Sequence, residues 1–209
     1  MLWTRLAGAL SVKSRPTFVG VSQTDSGSSN ATTLTLNVPA GVQNGDLLIA
    51  AVFGGNGLVG DWAQTSWTWA VEQNDAAPNL GIAYRTASSE PASYSFTTTS
   101  SRRLGGMIMA FRGASWDVAG TLATATYTAS AITVSQANSI LIGAWGVDDA
   151  NVTWTAPSGM TEISKYAGGN RANFAAYRED VNSGSTGTRT ASTASGSARS
   201  CVLFSIKSS

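Results

Sequence analysis

The sequence predicts an all-β chain, a jelly-roll-like β-sandwich built from two sequence repeats and preceded by a short N-terminal arm. Three observations predict it. Short apolar or alternating runs recur between turns rich in Gly, Pro and Asn. No segment sustains the roughly 3.6-residue spacing of an amphipathic helix. The chain also repeats itself: Gly45-Asp46-Leu47-Leu48-Ile49-Ala50-Ala51-Val52 returns as Asn138-Ser139-Ile140-Leu141-Ile142-Gly143-Ala144-Trp145, a spacing of 93 residues from 47 to 140. Tyr84-Arg85 falls on Tyr177-Arg178 at the same spacing, and Met107 to Arg112 returns as Val202 to Lys207 with a slip to 95. An apolar ladder and one Tyr-Arg pair are kept, which speaks of an architecture built twice rather than of chemistry.

Residues 1–15 read as the arm, with Leu2, Trp3, Leu6 and Leu10 as its apolar residues and Arg5, Lys13 and Arg15 as its charges. A signal peptide fits less well, because the apolar core is short and basic residues follow it. The expectation is that the arm docks on a neighbouring subunit. Phe18 to Val21 opens the sandwich as a short strand. Thr33-Leu34-Thr35-Leu36-Asn37-Val38 alternates with period two, placing Leu34, Leu36 and Val38 on one face. Pro39-Ala40-Gly41 and Asn44-Gly45 are turns. Leu47 to Phe53 is continuously apolar, as in a strand buried on both faces. Further strands are expected over 67–72, 80–86, 93–98 and 104–111. The second half follows with 131–134, 139–147, 161–166, 174–178, 188–193 and 198–207. Repeat one is placed at about 17–113 and repeat two at about 124–209, within one unit spanning 16–209. Few apolar residues are available to each half at this size, which favours one fused sandwich over two separate ones.

Composition narrows the function. Lys plus Arg number 13 against 12 Asp plus Glu, a net charge of +1, and only 12% of residues are charged. No basic footprint for nucleic acid and no polybasic membrane patch results, and no apolar run approaches the ~20 residues of a membrane span. Histidine is absent, which removes His-dependent triads and His metal sites. The single cysteine, Cys201, lies in an apolar strand and reads as a buried small hydrophobe made in a reducing compartment.

No constellation argues for an enzyme, and no catalytic, cofactor or metal residue is assigned. Asp148 and Asp149, with Asn151 nearby, are adjacent carboxylates whose strand geometry suits a glycosidase poorly; a Ca²⁺ loop is chemically easier, and a solvated turn is simplest. Gly54-Gly55-Asn56-Gly57 lacks the Lys-Ser/Thr of a phosphate loop. The Tyr-Arg pairs could hold something anionic, but structural duplication explains their recurrence without a ligand, with Tyr inward and Arg outward. Seven tryptophans are many. Trp67 and Trp69 share a strand face by their spacing and are the candidate interaction pair, either for a glycan or for a core or subunit contact.

Val38-Pro39-Ala40-Gly41-Val42-Gln43-Asn44-Gly45-Asp46-Leu47-Leu48-Ile49-Ala50 resembles a segment of β-rich proteins from tailed bacteriophages and prophages. Ser66-Trp67-Thr68-Trp69-Ala70-Val71, the stretch from Ile82 through Tyr84-Arg85 and Ser89-Glu90-Pro91-Ala92 to Phe96, and Met109-Ala110-Phe111-Arg112-Gly113 are similar to further segments of the same family. The likeness covers about residues 33 to 207. It implies a virion structural protein, a capsid decoration or cement protein or a tail or fibre accessory, made in the host cytoplasm and located in the virion. Its implied partners are phage coat or neighbouring structural proteins and further copies of itself, with no catalytic residues and no cofactor. The alternative is a carbohydrate- or receptor-binding module of a tail or fibre, with a glycan as partner.

Overall fold

The computed structural model describes residues 13–55, 62–72, 79–150, 152–167, 173–193 and 199–209. The arm residues Leu2, Trp3, Leu6 and Leu10 lie outside them. The described residues form an all-β sandwich with antiparallel pairing throughout, and no helix among them is long and apolar enough to cross a membrane.

The first half holds β1 (Thr17–Asp25), β2 (Ala31–Asn37), β3 (Leu47–Gly55), β4 (Trp62–Ala63), β5 (Thr68–Val71), β6 (Asn79–Thr86) and β7 (Ser93–Arg112). One layer runs β1-β7-β3-β6-β5, and β2 and β4 pair with β7 in the other. With β5 added at an edge, this is the jelly-roll order. β7 serves both layers: Ser93 to Thr98 pairs with β2 and β4, and Gly105 to Arg112 pairs with β1. Two strands were expected there, because the polar run Thr99-Ser100-Ser101-Arg102-Arg103 reads as a break.

The second half holds β8 (Ala114–Ala119), β9 (Ala123–Thr124), β10 (Thr128–Ala129), β11 (Thr133–Val134), β12 (Ser139–Val147), β13 (Trp154–Thr155), β14 (Thr161–Tyr166), β15 (Asn173–Val181), β16 (Gly184–Ser185), β17 (Arg189–Thr190), β18 (Ser192–Thr193) and β19 (Arg199–Ser208). Its large sheet runs β8-β19-β12-β15-β14, the same order as β1-β7-β3-β6-β5. Its other layer is three short ladders, β10-β17, β11-β16 and β13-β18. The stretch from 114 to 123, between the two expected repeats, carries the edge strand β8, which pairs with β19 and is reached from β7 through Gly113 at φ 64°.

Strands of the two halves do not interleave. Every ladder among the described residues joins strands of the same half, and the large sheets pack face to face instead. Alternation explains the continuous apolar runs. Leu48, Ala50 and Val52 point into the first half's own core with Leu36, Trp62 and Phe96. Leu47, Ile49, Ala51 and Phe53 point the other way, into a shared core with Ile140, Ile142, Ala144 and Phe204. β12 does the same, sending Leu141, Trp145 and Val147 to a third core. Four β layers therefore enclose three cores, and the two inner sheets are apolar on both faces.

The shared core is keyed by size. Phe53 stacks on Phe174 at 5.0 Å with rings 6° from parallel. Gly146 holds the position in β12 that Phe53 holds in β3, and a methyl group there would overlap the Phe53 ring. One large and one absent side chain meet where two large ones would collide.

Candidate interaction site

Antiparallel pairing brings particular strand ends together. In the first inner sheet Leu47 faces Thr86 and Phe111, and Thr17 faces Arg112. In the second, Ser139 faces Val181, Ile140 faces Ile206 and Ser115 faces Lys207. Tyr84 stacks on Trp116 at 4.5 Å, and the Arg178 guanidinium lies over Phe18 at 5.2 Å, so these two ends lie side by side.

Among the described residues, five ion pairs gather at this end. Asp46 is buried and takes Arg112 Nε at 3.0 Å and Nη2 at 2.9 Å, while the Gln43 N–H donates to it at 2.9 Å. The hydrogen bond to Asp46 pushes the Arg112 pKa up, outweighing desolvation. Glu90 accepts from the Ser88 N–H at 2.7 Å, pairs with Arg85 at 3.1 Å and accepts from the Tyr94 hydroxyl. Burial first, then that bond, raises the Tyr94 pKa to about 12. Asn44 accepts from the Ser89 N–H at 2.7 Å. The segments that carry the resemblance thus tie two loops together, and between them is a cleft of about 280 Å³ lined by Val38, Pro39, Val42, Glu90, Pro91 and Ala92.

The second half uses other residues. Asp117 on β8 accepts from the Ser135 N–H at 3.1 Å, from the Ser205 hydroxyl at 2.8 Å and from the Ser135 hydroxyl, and pairs with Lys207 at 3.3 Å. Burial alone would raise its pKa; the bonds from Ser135, Ser205 and Lys207 outweigh it and hold the carboxyl below its ordinary value. Glu179 pairs with Arg189, and Asp180 pairs with Arg15 at 2.9 Å. Gly159, Thr161, Arg178, Glu179 and Asp180 line a polar cleft of about 580 Å³.

Arg15 is therefore held by its own chain's second half, and Lys13 is exposed. Trp67 is 5% exposed, its ring met edge-on by Tyr94 at 5.2 Å and by Phe96 at 5.5 Å. Trp69 is half-buried and leans on Phe96 at 6.2 Å. The pair shares a face, as its spacing requires, and that face packs on the first core, the core contact that the sequence offered beside a glycan.

The Tyr-Arg alignment is corrected. Tyr84 faces Ile49 across its ladder, whereas the residue facing Ile142 is Arg178. The correspondence of β6 with β15 is at 94, from 84 to 178, not 93, so Tyr84 matches Arg178 and Arg85 matches Glu179. One residue of slip inverts every side chain: Tyr84 faces the shared core, and Tyr177 is buried in the third core with its hydroxyl pKa raised by burial. The ion pairs invert too, Arg85 with Glu90 becoming Glu179 with Arg189.

Asp148 and Asp149 lie at the opposite end. Asp148 is buried; Asp149 accepts from the Ala150 N–H at 2.7 Å, and its carbonyl accepts from the buried Asn173 amide. Asn151 lies outside the described residues. No group of three or more His, Cys, Asp or Glu that could hold a metal ion occurs among the described residues. Cys201 is buried, its Sγ 3.5 Å from the Thr126 carbonyl, and burial pushes its thiol up to about 12. Asp46, Arg112, Glu90 and Asp117 were not singled out from the sequence as site residues, and Arg178 was weighed only as half of a Tyr-Arg pair and assigned to structure. The nearest signal was that Asp46, Glu90 and Arg112 lie within the segments quoted for the resemblance.

No protein-family model matches this chain, and no curated protein and no solved structure matches it.

Proposed function

We propose that this chain is a structural accessory subunit of a tailed-bacteriophage particle, a capsid decoration or cement protein that binds neighbouring structural proteins. The observation that carries the reading is the tied end of the stack. The segments that resemble phage proteins converge there, and their polar residues serve to fix loops: Asp46 with Arg112, and Glu90 with Arg85 and Tyr94. Loops held this way lose little freedom on docking, which favours a passive contact surface. Outward-facing Thr33, Thr35, Ser95 and Thr97 give the first outer layer an uncharged hydroxyl surface, suited to a crowded particle exterior. The site of action is the virion, after synthesis in the host cytoplasm, and the partners are coat or neighbouring structural proteins, including further copies of this chain. The reading assigns no catalytic residue.

Mass spectrometry of purified particles is the test. The chain is expected at high copy number per particle; its absence overturns the reading.

A further inference from the structure

We infer that the polar cleft of the second half is a docking site for an acidic side chain of a neighbouring protein, with Arg178 as its anchor. The guanidinium is already oriented. It rests over the Phe18 ring of the facing sheet, Cζ to centroid 5.2 Å. No hydrogen bond or ion pair engages its N–H groups among the described residues, and none of its nitrogens is sealed from water without a partner.

The surrounding charges are otherwise matched. Glu179 is taken by Arg189, Asp180 by Arg15, and Glu162 on the neighbouring strand by Lys165 at 2.8 Å. Among the residues that line the cleft, the charge without a partner is that of Arg178. The corresponding position in the first half is Tyr84, which seals the same rim by stacking on Trp116 and offers no charge. Tyr84 shows that an aromatic ring closes this rim. The guanidinium adds a fork of donors that suits a carboxylate in bidentate geometry, and the ring beneath it reduces the freedom lost on binding.

The cleft holds about 580 Å³ and opens to solvent. It offers one unmatched cation and no enclosing walls. That suits one anchoring residue of a chain held by other contacts better than a free small acid, which needs burial on most sides. The occupant is therefore an Asp- or Glu-bearing segment of a structural neighbour. Only the identity of that neighbour rests on the proposed particle role; the chemistry of the cleft is tested without particles.

Full-length protein labelled with ¹⁵N is titrated with a blocked pentapeptide carrying a central glutamate, with its glutamine counterpart, and with 3′-sialyllactose. Saturable shifts with the glutamate peptide at about 10 mM or below, at least about tenfold weaker with the glutamine peptide, are expected. Arg178→Gln should remove the response. Arg178→Lys, which keeps the charge and loses the fork, should weaken it, and it serves as the test if the Gln variant fails to fold. No saturation, or equal binding by the variants, overturns the assignment. Tighter binding of sialyllactose overturns the choice of a protein segment in favour of an acidic glycan. Peptide binding by a chain that is absent from particles would leave the cleft standing and remove the particle role.

Discussion

Tyr84 and Arg178 occupy corresponding places in the two facing sheets, and each reaches across to the other half's edge strand. Tyr84 stacks on Trp116 of β8, and Arg178 covers Phe18 of β1. Phe18 faces Phe111 and Trp116 faces Ile206, so the two acceptors correspond as well. The contacts are reciprocal in place and different in chemistry. One rim is closed by a pair of rings and the other by a ring and a cation.

The fit between Phe53 and Gly146 predicts a stability defect from the smallest possible substitution. Gly146→Ala should destabilise the chain by roughly 1–3 kcal/mol, the scale of overpacking. Adding Phe53→Leu, which shortens the opposing side chain, should recover part of the loss. Denaturant unfolding of the single and double variants measures both.

Trp67→Ala should behave as a core deletion, with a loss of about 3–5 kcal/mol, because its ring is enclosed by Tyr94 and Phe96. Binding to a glycan array should be unchanged by a milder Trp67→Phe. A specific glycan signal abolished by Trp67→Phe in a folded protein would contradict the core placement.

How much of this was legible in the sequence varies with the range of the interaction. Leu34 and Leu36 announced their strand because alternation is local, and Leu47 to Phe53 announced double burial because both faces are apolar. β8 was hidden because Trp116 and Val118 are only half-buried, so the stretch resembled an apolar linker. Trp67 and Trp69 were legible as a shared face, but spacing does not say which side of the sheet is covered. The Tyr-Arg repeat misled because identical letters outweighed a one-residue offset that only the ladders reveal. Asp46 and Arg112 are far apart in the chain, and nothing local signals their pairing. Glu90 lies within reach of Arg85 and Tyr94 along the sequence and could have been proposed.

Asp117 should make stability depend on acid. Its carboxyl is held below its ordinary value in the fold, so its contribution is fully present above the unfolded pKa near 4 and is lost as pH falls through the lower folded value. Asp117→Asn should cost roughly 2 kcal/mol near neutrality, the scale of hydrogen bonds to a charged group. The gap between wild type and variant should narrow below about pH 4. Thermal melts of both proteins across that range check the sign.

Cys201 should resist thiol reagents in the native state. Burial and a thiol pKa pushed up to about 12 leave almost no accessible thiolate at about pH 8. Labelling should follow the unfolding rate and reach completion only in denaturant; rapid labelling of the folded chain would contradict the packing.

A chain starting at Ser14 should keep the β fold and a cooperative melt, since β1 begins at Thr17 and the Arg15 link to Asp180 is retained. Attachment to particles or oligomeric state should be lost with residues 1–13 if they dock on a neighbour. Circular dichroism and sedimentation of the truncated chain separate the two effects.

The junction at Gly113 has a consequence for the order of the halves. Thr17 faces Arg112 on one side of it, and Ser208 faces Ala114 on the other. The outer ends of the strand system therefore lie beside the point where the halves are joined. A chain opened at Gly113, with Ser208 linked to Thr17 by a few residues, would exchange the halves without breaking a ladder. For this architecture, which half is synthesised first is a matter of connectivity, and the stack of layers is indifferent to it.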